Sequence, residues 1–180
     1  MKKLSLLFLT LIFAVACSRD DKSKQESDQS LEKVKSAGEF VLGLDDSFPP
    51  MGFRNKDNEI VGFDIDLASE VAKRLGVKLR TQPISWDAKE QELNTGKIDC
   101  IWNGMTITEE VLKNTACSDP YVKNAQVVVM DAARIGDYPD SESLKGLRFA
   151  AEKSSAGAQA LEDIGITDYV QTGDQAGALM

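Results

Sequence analysis

The sequence contains no histidine. That removes the side chain most often used as a general base near neutral pH and the commonest zinc ligand. No metal or cofactor site is expected. Cysteine is scarce, three in 180 residues, which excludes a disulfide-built scaffold. Basic residues are outnumbered, 21 against 29 acidic, for a formal charge of −8, and no basic patch is present. Nucleic acid and anionic headgroups are therefore poor partners. No apolar run approaches the roughly 20 residues that a membrane-spanning helix needs. The longest, Leu6 to Ala16, is interrupted by Thr10.

That short run has a purpose of its own. MKKLSLLFLTLIFAVAC combines two lysines, an apolar stretch and small residues ending in Cys17, the layout of a secretory signal over residues 1–17. Ala14-Val15-Ala16-Cys17 resembles a bacterial lipobox, with Cys17 the lipidated new N-terminus. Ordinary cleavage after Ala-x-Ala is the other reading. The next stretch, SRDDKSKQESDQS, is polar and charged, a tether over residues 18–30. Removing Lys2 and Lys3 takes the charge to −10, so acyl chains alone would hold the protein to the membrane, outside the cytoplasm. Cys100 and Cys117 could pair there, but Cys100 sits in an apolar run, and two inert core thiols are the expectation.

From Leu31 the patterning becomes that of an α/β protein. Leu31–Ser36 reads as a helix ended by Gly38, and Glu39–Leu44 as a buried strand. DDSFPPMGF carries two prolines that forbid regular structure. Phe53, the turn at residues 55–58 and Ile60-Val61 form a small hairpin. In VGFDIDLASEVAKRLGV, the residues Leu67, Ala68, Val71, Ala72 and Leu75 mark one helix face, with Asp66 a candidate cap. Strand Val77–Thr81, helix Ala88–Asn94 and strand Ile98–Trp102 follow, an alternation that predicts a mainly parallel sheet. Thr108 caps a helix over Glu109–Asn114, and Asn124–Met130 reads as an apolar strand. After the loop DAARIGDYPD a new unit begins: strand Leu147–Ala151, a helix capped near Ser155, strand Tyr169–Gln171, and a helix from Asp174.

GFDIDLASEVAKRL resembles the signature segment of the bacterial extracellular solute-binding proteins of family 3, receptors of polar amino-acid ABC importers. Other matching stretches stand in order: GLDDSFPPMGF, ISWDAKEQELNTGKIDCIWNGMTITEE, SDPYV and LKGLRFAAEKSSAG. The resemblance implies a periplasmic-binding-protein-like fold of type II, two α/β lobes closing over a ligand. It places lobe 1 at residues 31–123, a hinge strand at 124–130 and part of lobe 2 at 131–180. Because the family's first lobe is completed after the second, the chain would stop inside lobe 2. A truncated, non-binding remnant is one expectation.

The resemblance also implies the site. The ligand is a free amino acid, a zwitterion whose two charges must each find partners on leaving water. Asp45 and Phe48 fall on the family's acid and aromatic after the first strand, and Trp86 on its second aromatic. For Trp86, plain core packing remains an open alternative; for Asp45, turn capping does. In the turn Asn103-Gly104-Met105-Thr106, the Gly104 carbonyl would accept from the ammonium, and Thr106 would donate to the carboxylate. Ser154, Ser155, Ala156 and Gly157 open a helix, a carboxylate seat in the second lobe. One position departs from the pattern: Val111 stands where the family has the arginine that clamps the carboxylate. The family's second-lobe aspartate would lie beyond residue 180.

The acidic pair Asp64 and Asp66 lacks the further oxygen ligands of a metal site and is expected to be structural. A dehydratase-type enzyme on the same fold is the alternative function. It would need an acid or base poised among Asp45, Asp46 and Glu109. A membrane-kinase sensor is a third reading, for which no transmembrane segment follows. The receptor, working with ABC permease subunits and not as an enzyme, is the preferred reading.

Overall fold

The computed structural model describes residues 28–180. The signal segment, Cys17 and nearly all of the tether lie outside the described residues. The architecture is α/β, in two sheet-centred units.

The first unit is organised by β1 (Glu39–Leu44), whose last four residues are buried, as befits a central strand covered on both faces. It pairs in parallel with β5 (Lys78–Pro83), Glu39 opposite Lys78. On its other side runs β6 (Cys100–Ile101), also parallel. Helix α1 (Ser30–Ala37) leads in and ends at Gly38, left-handed at φ 69°. Helix α2 (Phe63–Leu75) turns its buried face, Asp64, Ile65, Ala68 and Ala72, toward the sheet. Ile65 and Ala68 pack there with Leu42 and Leu44, flanked by Ile60, Leu79 and Trp102. Each large side chain buried in this way stabilises the unit by about 1.5–3 kcal/mol.

Two of the helix expectations need correction. The helix begins at Phe63, with Gly62 at its cap, so Asp66 sits in the first turn and makes no capping hydrogen bond. Its carboxylate still meets the positive end of the helix dipole. Leu67, expected on the apolar face, is 36% exposed, while the acid Asp64 is completely buried. Near the prolines, regular structure does form: β2 (Ser47–Phe48), β3 (Gly52–Arg54) and β4 (Ile60–Val61) make an antiparallel sheet. Ser47 and Phe48 precede both prolines and keep the N–H groups that pairing needs.

The 3-10 turn Trp86–Ala88 leads into α3 (Lys89–Asn94). Helix α4 (Glu109–Asn114) is capped as expected, Thr108 Oγ1 accepting from the Val111 amide at 3.2 Å. Cys100 and Cys117 are both free and partly buried. Burial pushes the Cys100 thiol up to about 11, which leaves it unreactive.

The expected hinge strand at Asn124–Met130 is not one: these residues join no ladder among the described residues, and Val127 and Val129 are 77% and 69% exposed. An apolar run becomes a strand only where its backbone groups find a neighbouring strand. None of the described strands runs beside it. DAARIGDYPD, expected as loop, contains the 3-10 stretch Ala132–Asp137. In the second unit β7 (Ala150–Glu152) pairs in parallel with β8 (Val170–Thr172), both shifted C-terminally from the expected strands. Between them lies α5 (Ala156–Asp163), and α6 (Gln175–Ala178) follows. Ser155 and Asp174 cap these helices, accepting from the amides of Ala158 and Gly177. No described helix is long and apolar enough to cross a membrane.

Candidate functional site

Between the two units lies a cleft of about 1690 Å³. All eleven residues singled out for ligand binding line it: Asp45, Phe48, Trp86, Asn103, Gly104, Met105, Thr106, Ser154, Ser155, Ala156 and Gly157. They come from four separate segments of the chain. A smaller depression of about 510 Å³ beside β5, at Arg80, Gln82, Ser85 and Lys97, holds none of them.

Each wall of the cleft has a structural cause. Asp45 follows directly on β1 and is nearly buried. Its Oδ1 accepts from the Ser47 amide at 2.8 Å and the Ser47 hydroxyl at 2.7 Å. It therefore does cap the turn, and Oδ2 has no protein donor among the described residues. Trp86 is 8% exposed, so it belongs both to the core and to the cleft wall. The Lys89 ammonium stands 5.1 Å from its ring centroid, in cation–π geometry. Gly104 adopts φ 61°, and a Cβ there would press on Met51 and on Phe48 at 3.4 Å. Any other residue would be strained and would crowd the aromatic wall.

The turn at residues 103–106 is held from behind. The Gly104 amide donates to Tyr121 Oη at 3.2 Å, and that hydroxyl donates to Asp64 Oδ1 at 2.8 Å. Tyr121 also stacks with Phe63 and meets Trp102 edge-on. Burial raises the Asp64 carboxyl above its usual range, against the opposing hydrogen bond from Tyr121. Burial first, and then the Asp64 carboxylate, push Tyr121 up strongly, so its hydroxyl stays protonated. The buried acid therefore supports the turn through a tyrosine. Among the described residues no cluster of acids or cysteines has metal-site geometry.

Thr106 Oγ1 accepts from Asn124 Nδ2 at 3.0 Å and Gln126 Nε2 at 3.1 Å. With both acceptor positions used, its hydroxyl hydrogen is directed elsewhere. On the opposite wall, Ser155 spends its hydroxyl on the helix cap, and Ser154 adopts φ 56°, unusual for a non-glycine residue. The amides of Ala156 and Gly157 open α5, where no intrahelical acceptor exists for them. Val111, at the family's arginine position, is buried and lines the cleft.

Two residues of the cleft were missed in the sequence. Lys89 is 7% exposed and donates to the Trp86 carbonyl at 3.3 Å and, across the cleft, to the Ser154 carbonyl at 3.0 Å. Burial lowers its ammonium from the usual value, with Glu90, Glu152, Glu110 and Asp87 opposing. Glu152, at the end of β7, is 4% exposed, and its Oε1 has no hydrogen-bond partner. Burial, with Asp45 next in size, pushes its carboxyl up to about 7. The only sequence signal was an acid closing the strand-like stretch LRFAA. A second bridge between the units, Lys153 Nζ to Asp87 Oδ2 at 2.7 Å, is largely exposed and holds Asp87 below the usual carboxylate range.

Over residues 40–176 the sequence matches the family model described as bacterial extracellular solute-binding proteins, family 3. The chain belongs to this family. Among curated relatives of this solute-binding family, the L-cystine-binding protein TcyJ of Escherichia coli K12 is 31% identical over 136 residues. That alignment covers 75% of this chain and 51% of TcyJ, so the chain spans about half the length of this relative. Among solved structures, holo ArgBP from T. maritima aligns with a TM-score of 0.76 at 36% identity, covering 82% of this chain and 66% of that one. A mutant of domain 1 of the same T. maritima protein, in arginine-bound form, aligns with a TM-score of 0.50 at 49% identity, covering 51% and 71%. The fold is the two-lobe, type II periplasmic-binding architecture, with a second lobe that carries only β7 and β8 among the described strands.

Proposed function

We propose that this solute-binding chain is the capture component of an ABC importer for polar amino acids, anchored outside the cytoplasm through a lipid on Cys17. The observation that carries the reading is the convergence of the eleven candidate residues on one interlobe cleft. In it the ligand's carboxylate meets the Thr106 hydroxyl and the free amides of Ala156 and Gly157. Its ammonium meets the Gly104 carbonyl and Asp45, and its side chain lies along Phe48 and Trp86. In this reading residues 31–123 belong to the first lobe, 124–130 cross between the lobes and 131–180 belong to the second.

The apolar Val111 weakens this site, because a carboxylate drawn from water without its clamp loses about 3–5 kcal/mol of compensation. The 180-residue chain is expected to bind free amino acids more weakly than micromolar. The arginine-bound form of a domain-1 mutant of T. maritima ArgBP supports a grip by one lobe. Isothermal titration with a panel of free amino acids is the test. Micromolar or tighter binding would overturn the account of Val111, and no binding at tens of millimolar would overturn the receptor reading.

One observation favours a second reading. A buried carboxyl held near pH 7 in a cleft, as Glu152 is, suits proton transfer as well as binding. Mass spectrometry of ligands recovered after long incubation separates the two: an enzyme returns altered molecules, a receptor returns them unchanged.

A further inference from the structure

We propose that Glu152 is a specificity-determining residue that receives a ligand cation, an ammonium or guanidinium group, so that the cleft selects basic ligands over neutral and acidic ones. The inference rests on the receptor reading and narrows its ligand class.

Three observations lead to it. Glu152 is 96% removed from solvent yet leaves Oε1 unpaired. A buried acceptor without a donor costs free energy that a donor entering the cleft would recover. Secondly, the charged groups near it do not neutralise it. Asp45 from the first lobe and Asp174 ahead of α6 disfavour its charge, while Lys89 and the Gln175 amide favour it. Lys89 is committed to the carbonyls of Trp86 and Ser154, and Lys153, the next residue, to Asp87. Thirdly, the walls of the cleft as a whole carry seven carboxylates against four basic groups. An entering side-chain cation therefore gains at Glu152 while the ligand's α-ammonium meets Asp45, and drawing both lobes onto one ligand favours the closed arrangement. Because Val111 supplies no charge to a carboxylate, a basic amino acid and its decarboxylated amine share the recognised chemistry.

The test titrates the whole chain with arginine, agmatine, citrulline and glutamate, followed by NMR up to tens of millimolar, at pH 6 and pH 8. Citrulline matches arginine in shape without its charge. Arginine should bind about tenfold more tightly than citrulline at pH 8, a ratio that corresponds to about 1.4 kcal/mol. Its affinity should rise several-fold from pH 6 to pH 8 as Glu152 ionises. Glu152→Gln should remove both the preference and the pH slope. Agmatine binding as well as arginine identifies a free amine as an equal occupant; arginine alone identifies the amino acid. Equal binding of arginine and citrulline, or a preference for glutamate, overturns the inference while leaving a receptor. If Glu152→Gln unfolds the chain, the arginine–citrulline comparison in the unaltered protein still decides. Binding of none of the four while another free amino acid of the wider panel still binds overturns this inference and leaves the receptor; failure of the whole panel overturns both.

Discussion

The two lobes carry the same kind of parallel α/β pairing but hold it differently. In the first, β1 lies between two partners and α2 covers it, so Leu42, Leu44 and Ala68 are fully buried. In the second, β7 has one partner, and Val170 of β8 is 65% exposed. The buried acids differ in the same way. Asp64 in the first lobe is tied to Tyr121 and supports the binding turn from behind. Glu152 in the second lines the cleft and leaves a buried oxygen unpaired. The difference separates a well-buried platform that shapes the site from a more exposed jaw that bears its unspent charge.

The contrast is sharpest in stability. Leu44→Ala should destabilise the chain by about 2–5 kcal/mol, as large-to-small changes in a packed core do. Leu161→Ala, in α5 of the second lobe, should fall at the low end of that range, about 2 kcal/mol, because its more exposed surroundings can relax. Urea unfolding measures both, and equal losses would erase the distinction. Comparable in size, Val111→Arg should tighten binding of an amino acid roughly hundreds-fold by restoring a partner for the carboxylate. Titration against agmatine, which has no carboxylate, should show no gain.

Tyr121→Phe tests the support from behind. Removing the hydroxyl strands both the Gly104 amide and Asp64, and should cost about 1–2 kcal/mol of stability together with ligand affinity. Unchanged affinity would mean that the turn holds its shape unaided.

The effect of pH is smaller. The Glu152 carboxyl is raised from 4.5 to about 7 in the folded chain, so between those values the folded state holds a proton that the unfolded state has lost. Ligand-free stability should therefore fall as pH rises from about 4.5 to about 7, by about 1–2 kcal/mol once water in the open cleft is allowed for. Glu152→Gln should flatten that slope in thermal unfolding. Smallest of all is Lys153→Ala, which removes an exposed bridge between the lobes and should shift unfolding barely measurably.

Much of the secondary structure in both lobes was legible because its signals are local. Gly38 and Gly76 stop helices by adopting left-handed backbone, and Thr108, Ser155 and Asp174 cap helices through their own side chains. Such events are decided within three or four residues. The strand at 124–130 was misread because periodicity reports apolarity and not the presence of a partner. Asp64 was legible as structural, but its mechanism was not: the tyrosine that holds it lies 57 residues away along the chain.

Composition and motif order determined that this is an α/β solute-binding chain, without histidine chemistry and with a glycine turn shaped for close approach. Those properties depend on residue type and near neighbours, which the chain carries in linear form. Tertiary structure alone decided that Lys89 and Glu152 enter the cleft and that Asp64 serves the turn from beneath. Burial and unmet hydrogen-bonding capacity arise only when distant segments exclude water together, and no local pattern records them.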